Sequence, residues 1–158
     1  TNFLIHDNTN IQKYFVEKYK RKGAFISIGG NVYDSKSDTI IRRYDVAKDN
    51  YYLIACRIEP ENNIHNIING FIESRSEKKL IVAGGANYKS KYLQKLKMIS
   101  DDRLIFLGPI YIDNHIEELH ANAFAYLHGH EVGGTNPSLL KAMGCSNLIL
   151  ANGTEYNN

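Results

Sequence analysis

A charge excess of one sign is missing from this sequence: 19 basic and 17 acidic residues leave a formal net charge of +2. That balance argues against a nucleic-acid partner, which calls for basic residues gathered on one face. Cysteine is scarce. Cys56 stands inside an apolar run and Cys145 at the end of a helical pattern, as small buried hydrophobes of a reducing compartment do. The sequence leaves a disulfide between them open. No apolar run reaches the length of a membrane span and no secretory leader opens the chain, so a cytoplasmic protein is expected. Repeats and low-complexity tracts are absent. What remains is 158 residues, 43% hydrophobic and 23% charged, which suits one globular domain with a proper core. Both ends look cut: Thr1 is not an initiator Met, and "ILANGTEYNN" stops just after a strand pattern. An excised fragment of a longer protein is expected.

The hydrophobic pattern alternates between two periods. Ile11, Tyr14, Phe15 and Tyr19 mark a first helix, and "KGAFISIGGN" reads as a short strand ending at Gly29 and Gly30. Residues 31–50 are polar, with "TIIRRYDV" an edge strand or a loop. "YYLIACRI" is bulky and uninterrupted, as a parallel strand covered on both faces must be. Pro60 then opens a helix whose Ile64, Ile67, Ile68, Phe71 and Ile72 form one apolar face. "KLIVAGG" is a strand ending at Gly84 and Gly85, and Tyr92, Leu93, Leu96 and Ile99 mark another helix. "LIFLG", the helix "HIEELHANA", the strand "FAYLHG", the helix "NPSLLKAMG" and the strand "NLILAN" complete the series. Strands alternating with helices through short connections predict an α/β fold, a doubly wound parallel sheet. Ligands of such sheets bind in the crevice at the carboxyl edge of the strands, where several glycines and Arg57 fall.

The loop "HGHEVGGTNPSLLKAMGC" carries the densest chemistry. Pro137 suits a first helical position and Asn136 its N-cap. A helix starting there presents N–H groups and a partial positive charge to the crevice. Gly133 and Gly134 let the backbone approach a ligand. The package suits an anion or a polyhydroxyl ligand: backbone amides for phosphate, and Thr135, Asn136 and Ser138 for sugar hydroxyls. A well-capped helix after a glycine turn explains the same residues without a ligand. Arg57, at the end of a strand, is placed to clamp a diphosphate, or else to pair with Glu59 or Glu61 on the surface. In "GPIYID", backbone groups at Pro109 and Ile110 could meet a nucleobase edge and Tyr111 could stack on it. His128 and His130 share a strand face, but no carboxylate or cysteine completes a metal set. His130 reads as a polar contact to phosphate or sugar.

Taken together, "CRIEPENN", "LIVAGG", "LIFLGPI", "AYLHGHEVGGTNPSLLKAMG" and "LILAN", in this order and spacing, resemble the donor-binding half of a retaining glycosyltransferase of family 4. These enzymes have the GT-B fold of two Rossmann-like domains. The phrasing is closest to bacterial enzymes of capsule or O-antigen synthesis, rhamnosyltransferase-like members included. The resemblance covers residues 23–158 and implies a nucleotide-sugar donor domain truncated at its C-terminus. Residues 1–22 resemble the tail of the acceptor-binding domain and the linker.

The resemblance implies transfer of a hexose or deoxyhexose from a nucleoside diphosphate to a growing polysaccharide or lipid-linked glycan. It implies no cofactor, an acceptor held by the other domain, and peripheral contact of the whole protein with the inner face of the membrane. The fragment alone would turn over nothing. Arg57 matches the family's diphosphate-binding arginine, and the glycine-rich donor loop falls on Gly133 to Ser138. The family's companion lysine falls on Asn62. Its two glutamates fall on Gly133 and Lys141, and Glu131, near the first, stands in a different register. Lys141 can only donate hydrogen bonds where a carboxylate would accept them. Either the ribose is held differently, or the charge of Lys141 serves the phosphates and offsets the lysine lost at Asn62, or the fragment binds donor poorly. A sugar-nucleotide epimerase of the same fold would need a pair of acid/base carboxylates, and none is identified. A non-catalytic module of the same fold is the other alternative.

Overall fold

The computed structural model describes residues 3–34, 37–112 and 114–154. Five parallel strands form the main sheet: β3 (Tyr51–Ala55), β4 (Lys79–Ala83), β5 (Leu104–Gly108), β6 (Ala125–His128) and β7 (Ile149–Ala151). Their spatial order is β5-β4-β3-β6-β7. The chain therefore runs outward from β3 to one edge, returns to the other side of β3, and runs outward again. Crossovers are made by α2 (Ile64–Glu73), α3 (Lys91–Lys97), α4 (His115–Ala121) and α5 (Pro137–Gly144).

Alternation along β3 explains the layers. Tyr51, Leu53 and Ala55 pack with Leu119 of α4 and Ala142 of α5, while Ile54 on the other face packs with Ile64, Ile68 and Phe71 of α2 and Leu96 of α3. Successive side chains of the strand point to opposite faces, and a helix pair covers each face, which makes the sheet doubly wound, as the sequence predicts. The strand order reverses between β3 and β6, so the loops after these two strands diverge and leave a crevice.

The N-terminal region departs from the expected strand at "KGAFISIGGN". Only Ala24–Phe25 is a strand (β2), paired in parallel with β1 (Ile5–His6) in a separate two-stranded sheet around α1 (Thr9–Tyr19). The Ile26 amide still donates to the His6 carbonyl of β1 at 2.9 Å; the chain beyond it leaves that sheet and straps across α5, where the Tyr33 amide donates to the Gly144 carbonyl at 3.0 Å. Gly29 and Gly30 therefore lie beside α5, away from any strand end of the main sheet. The "TIIRRYDV" segment forms a 3-10 helix at Ile41–Tyr44 instead of an edge strand. Its amides need an acceptor, and buried Glu118 of α4 takes those of Ile40 and Ile41 at 2.5 and 3.1 Å. Pro60 opens a 3-10 turn, Pro60–Asn62, and α2 begins only after Asn63, whose φ is +52°. Both cysteines are free thiols. No helix among the described residues is long and apolar enough to cross a membrane.

Candidate functional site: the crevice at the carboxyl edge

Two adjoining clefts open at the strand-order reversal. The larger, about 460 Å³, is lined by Arg57, Glu61, Asn62, His130 and the loop from Val132 to Ser138. The second, about 280 Å³, is lined by Arg57, Gly84, Gly85, Pro109, Ile110, Tyr111, His120, Ser138 and Lys141. Cys56, Arg57 and Ser138 line both, so the clefts form one continuous crevice.

Arg57 is solvent-exposed just beyond β3 and forms no ion pair among the described residues. Surface pairing with Glu59 or Glu61 does not occur; Glu59 instead accepts a hydrogen bond from Tyr88 Oη at 2.6 Å. An uncommitted guanidinium at a crevice mouth is available to an anion. Asn62 is buried, and its amide donates to the Arg57 carbonyl at 2.7 Å. It lines the cleft wall with its amide nitrogen spent on the backbone of the arginine. The Glu131 amide donates to the Glu61 carbonyl and the Asn63 amide to the Gly129 carbonyl, tying the loops after β3 and β6 together. Glu131 itself is exposed and lies outside both clefts.

The α5 terminus forms as the sequence predicts, with Pro137 in the first turn and Asn136 as N-cap. The cap changes which amides face the crevice. Asn136 Oδ1 accepts from Ser138 N and Leu139 N at 2.9 and 3.4 Å, so the helix's own first amides are taken. The backbone amides of Gly133, Gly134, Thr135 and Asn136 make no hydrogen bond among the described residues and remain for a ligand. Gly133 has φ of +132°, a conformation costly for any side chain, and open space beside it. Thr135 differs from its expected role: its hydroxyl donates to the Asp7 carbonyl at 2.8 Å, tethering the loop to the N-terminal unit. Asn136 is likewise spent as a cap.

Lys141 lines the crevice and forms an ion pair with Glu117 of α4. Burial raises the Glu117 carboxyl, and the hydrogen bond from Lys141, a backbone hydrogen bond and the Lys141 charge together offset it, leaving the group below its ordinary value. Gly29 and Gly30 line a third cavity of about 360 Å³ with the Glu117–Lys141 pair, on the α5 flank of the crevice. No group of three or more His, Cys, Asp or Glu side chains able to hold a metal occurs among the described residues.

The sequence reading missed three residues, Glu117, His120 and Asp7. Each reaches the site by tertiary contact and carries no local signal.

His120 and His130 are neutral at physiological pH. Burial, then the charges of His128 and Arg57, holds His130 down at about 4; burial does the same to His120. Cys56 is pushed up to about 12 by burial and is no nucleophile. The depressed histidines imply an acid-sensitive fold. Below about pH 6.5 the unfolded chain takes up protons that the folded chain refuses, so stability falls as pH drops toward 4. The slope is up to ~1.4 kcal/mol per pH unit for each histidine. Urea midpoints at about pH 7 and about pH 5 should differ accordingly. The difference should shrink in His120→Gln, and identical midpoints for the native chain would contradict the assignment.

No protein-family model and no curated protein sequence matches the chain. Solved structures do. Anabaena HepE in complex with UDP aligns with a TM-score of 0.85 at 19% identity, covering 99% of this chain and 46% of that one. The pneumococcal O-GlcNAc transferase GtfA, in complex with UDP and GlcNAc, aligns at 0.75 and 16% identity, over 100% of this chain and 31% of that one. WaaG, a glycosyltransferase involved in lipopolysaccharide biosynthesis, aligns at 0.71 and 16%, over 98% and 45%. This chain thus spans less than half the length of each. At these identities the likeness is one of fold: the chain has the architecture of one Rossmann-like half of a GT-B glycosyltransferase.

Proposed function

We propose that this chain binds a nucleoside diphosphate sugar, as the donor-binding half of a retaining glycosyltransferase of family 4. The observation that carries this reading is the crevice at the strand-order reversal. It joins an unpaired Arg57 to the open amides of the Gly133–Asn136 loop. An arginine fork and a row of backbone N–H groups are the two standard devices for holding phosphate oxygens. The HepE and GtfA structures carry UDP, which supports a uridine nucleotide as first choice.

In the whole protein, the reaction would transfer a hexose or deoxyhexose to a polysaccharide or lipid-linked glycan held by another domain. Arg57 and the loop amides would stabilise the departing diphosphate, as preorganised donors do for any developing anion. No metal is needed for that role when these groups supply it. A non-catalytic nucleotide-sugar-binding module is the second reading. It is favoured by Asn62, whose amide is spent inside the fold.

Calorimetric titration with UDP, GDP, dTDP and ADP, without and then with magnesium, tests the reading. UDP is expected to bind in the absence of magnesium. Failure of all four nucleotides would overturn it. Activity of the full-length enzyme separates transferase from module.

A further inference from the structure

The loop that offers its amides to the crevice has little of its own to hold it in shape. Val132 and Gly133 are exposed, and nothing lies within 4 Å of where a Gly133 side chain would start. The two ends are fixed: the Glu131 amide donates to the Glu61 carbonyl at 3.1 Å, and Asn136 caps α5. The middle is held from outside, by the N-terminal unit. The Thr135 hydroxyl donates to the Asp7 carbonyl at 2.8 Å. Gly134 packs so closely on the same corner that a Cβ there would meet Ile11 Cδ1 at 3.0 Å and Asp7 Oδ1 at 3.2 Å.

The acceptor at that corner is itself well fixed. On one side of Asp7, the His6 carbonyl of β1 accepts from the Ile26 amide at 2.9 Å. On the other, Asn8 caps α1, its Oδ1 accepting from Asn10 N and Ile11 N at 2.9 and 3.3 Å. A strand and a helix start thus pin the Asp7 backbone between them. A two-glycine loop without such an anchor samples many conformations, and ordering it at the moment of binding costs affinity. We propose that Thr135 is a positioning residue: its hydroxyl, anchored on Asp7, preorganises the Gly133–Asn136 amides for the diphosphate without touching the ligand. The inference rests on the nucleotide-binding reading above and adds to it that the β1–α1 corner sets the shape of the anion loop.

The test compares Thr135→Val, which keeps the shape and removes the donor, with Thr135→Ser, which keeps the donor. In the ligand-free protein, ¹⁵N relaxation of Gly133 and Gly134 should give order parameters of ~0.85 in the native chain and in Thr135→Ser, and below ~0.6 in Thr135→Val. UDP should bind Thr135→Val ~5-fold more weakly than the native chain, the effect of one hydrogen bond, and Thr135→Ser as the native chain does. A hydroxyl in direct contact with the ligand would weaken binding in Thr135→Val yet leave the empty loop as rigid as before. Equal order parameters in the native chain and Thr135→Val therefore overturn this inference alone, and so does equal affinity for UDP. No UDP binding by the native chain overturns the nucleotide reading and this inference with it.

Discussion

Replacing Arg57 by alanine is expected to weaken UDP binding at least ~100-fold while leaving the fold intact. A hydrogen bond to a charged group contributes on the order of 1.5–3 kcal/mol, and a guanidinium can make two to a diphosphate. The side chain is exposed and has no ion pair among the described residues, so its removal leaves nothing uncompensated. Calorimetry reads the affinity and a urea midpoint reads the fold. Arg57→Lys keeps the charge without the fork and should fall between the two. A native-like affinity in Arg57→Ala would remove the diphosphate site from this end of β3.

Gly84→Ala is expected to destabilise the chain by ~3–5 kcal/mol, combining backbone strain with overpacking. Gly84 follows β4 with φ of +143°, and a Cβ built there would lie 1.8 Å from the Cys56 carbonyl oxygen. That carbonyl immediately precedes Arg57, so the strand ends must separate where the crevice is built. The neighbouring hydrogen bonds, Cys56 N to Ala83 O and Ile58 N to Gly85 O, would be stretched with them. Gly85→Ala is the comparison. Its Cβ would meet only the Pro109 ring at 3.3 Å, a contact that a small shift relieves. Urea midpoints should drop sharply for the first variant and little for the second. Equal midpoints would mean that the β3 and β4 ends are looser than their packing indicates.

Legibility differed from one part of the chain to another. Helices such as α2 stood out by their apolar period and strands such as β3 by an uninterrupted apolar run, and the burial of Tyr51, Leu53 and Ile54 on both faces of the sheet follows from that run. The α5 cap was legible because Asn136 and Pro137 act on amides two or three residues away. The "AFISIGG" stretch misled because an apolar run shows that a segment is covered, not by what. Here only two residues pair with β1, and the rest crosses α5 as a strap. The side-chain commitments at the site were illegible for the same reason. Thr135 bonds to Asp7, Asn62 turns inward to Arg57 O, and Lys141 finds Glu117 across a helix pair. That Arg57 and the Gly133–Ser138 loop meet at one crevice follows from strand ends that the sequence marks with Arg or Gly, and Lys141 reaches it one turn into α5.

By itself, then, the sequence determined the alternation of strands and helices, the doubly wound class and the edge on which a ligand would sit. All three arise from hydrogen bonding and hydrophobic periodicity within single elements. Tertiary structure alone decided which polar groups remain free to meet that ligand. Whether a side chain is spent on a backbone partner depends on neighbours dozens of residues away, and no local pattern encodes that distance.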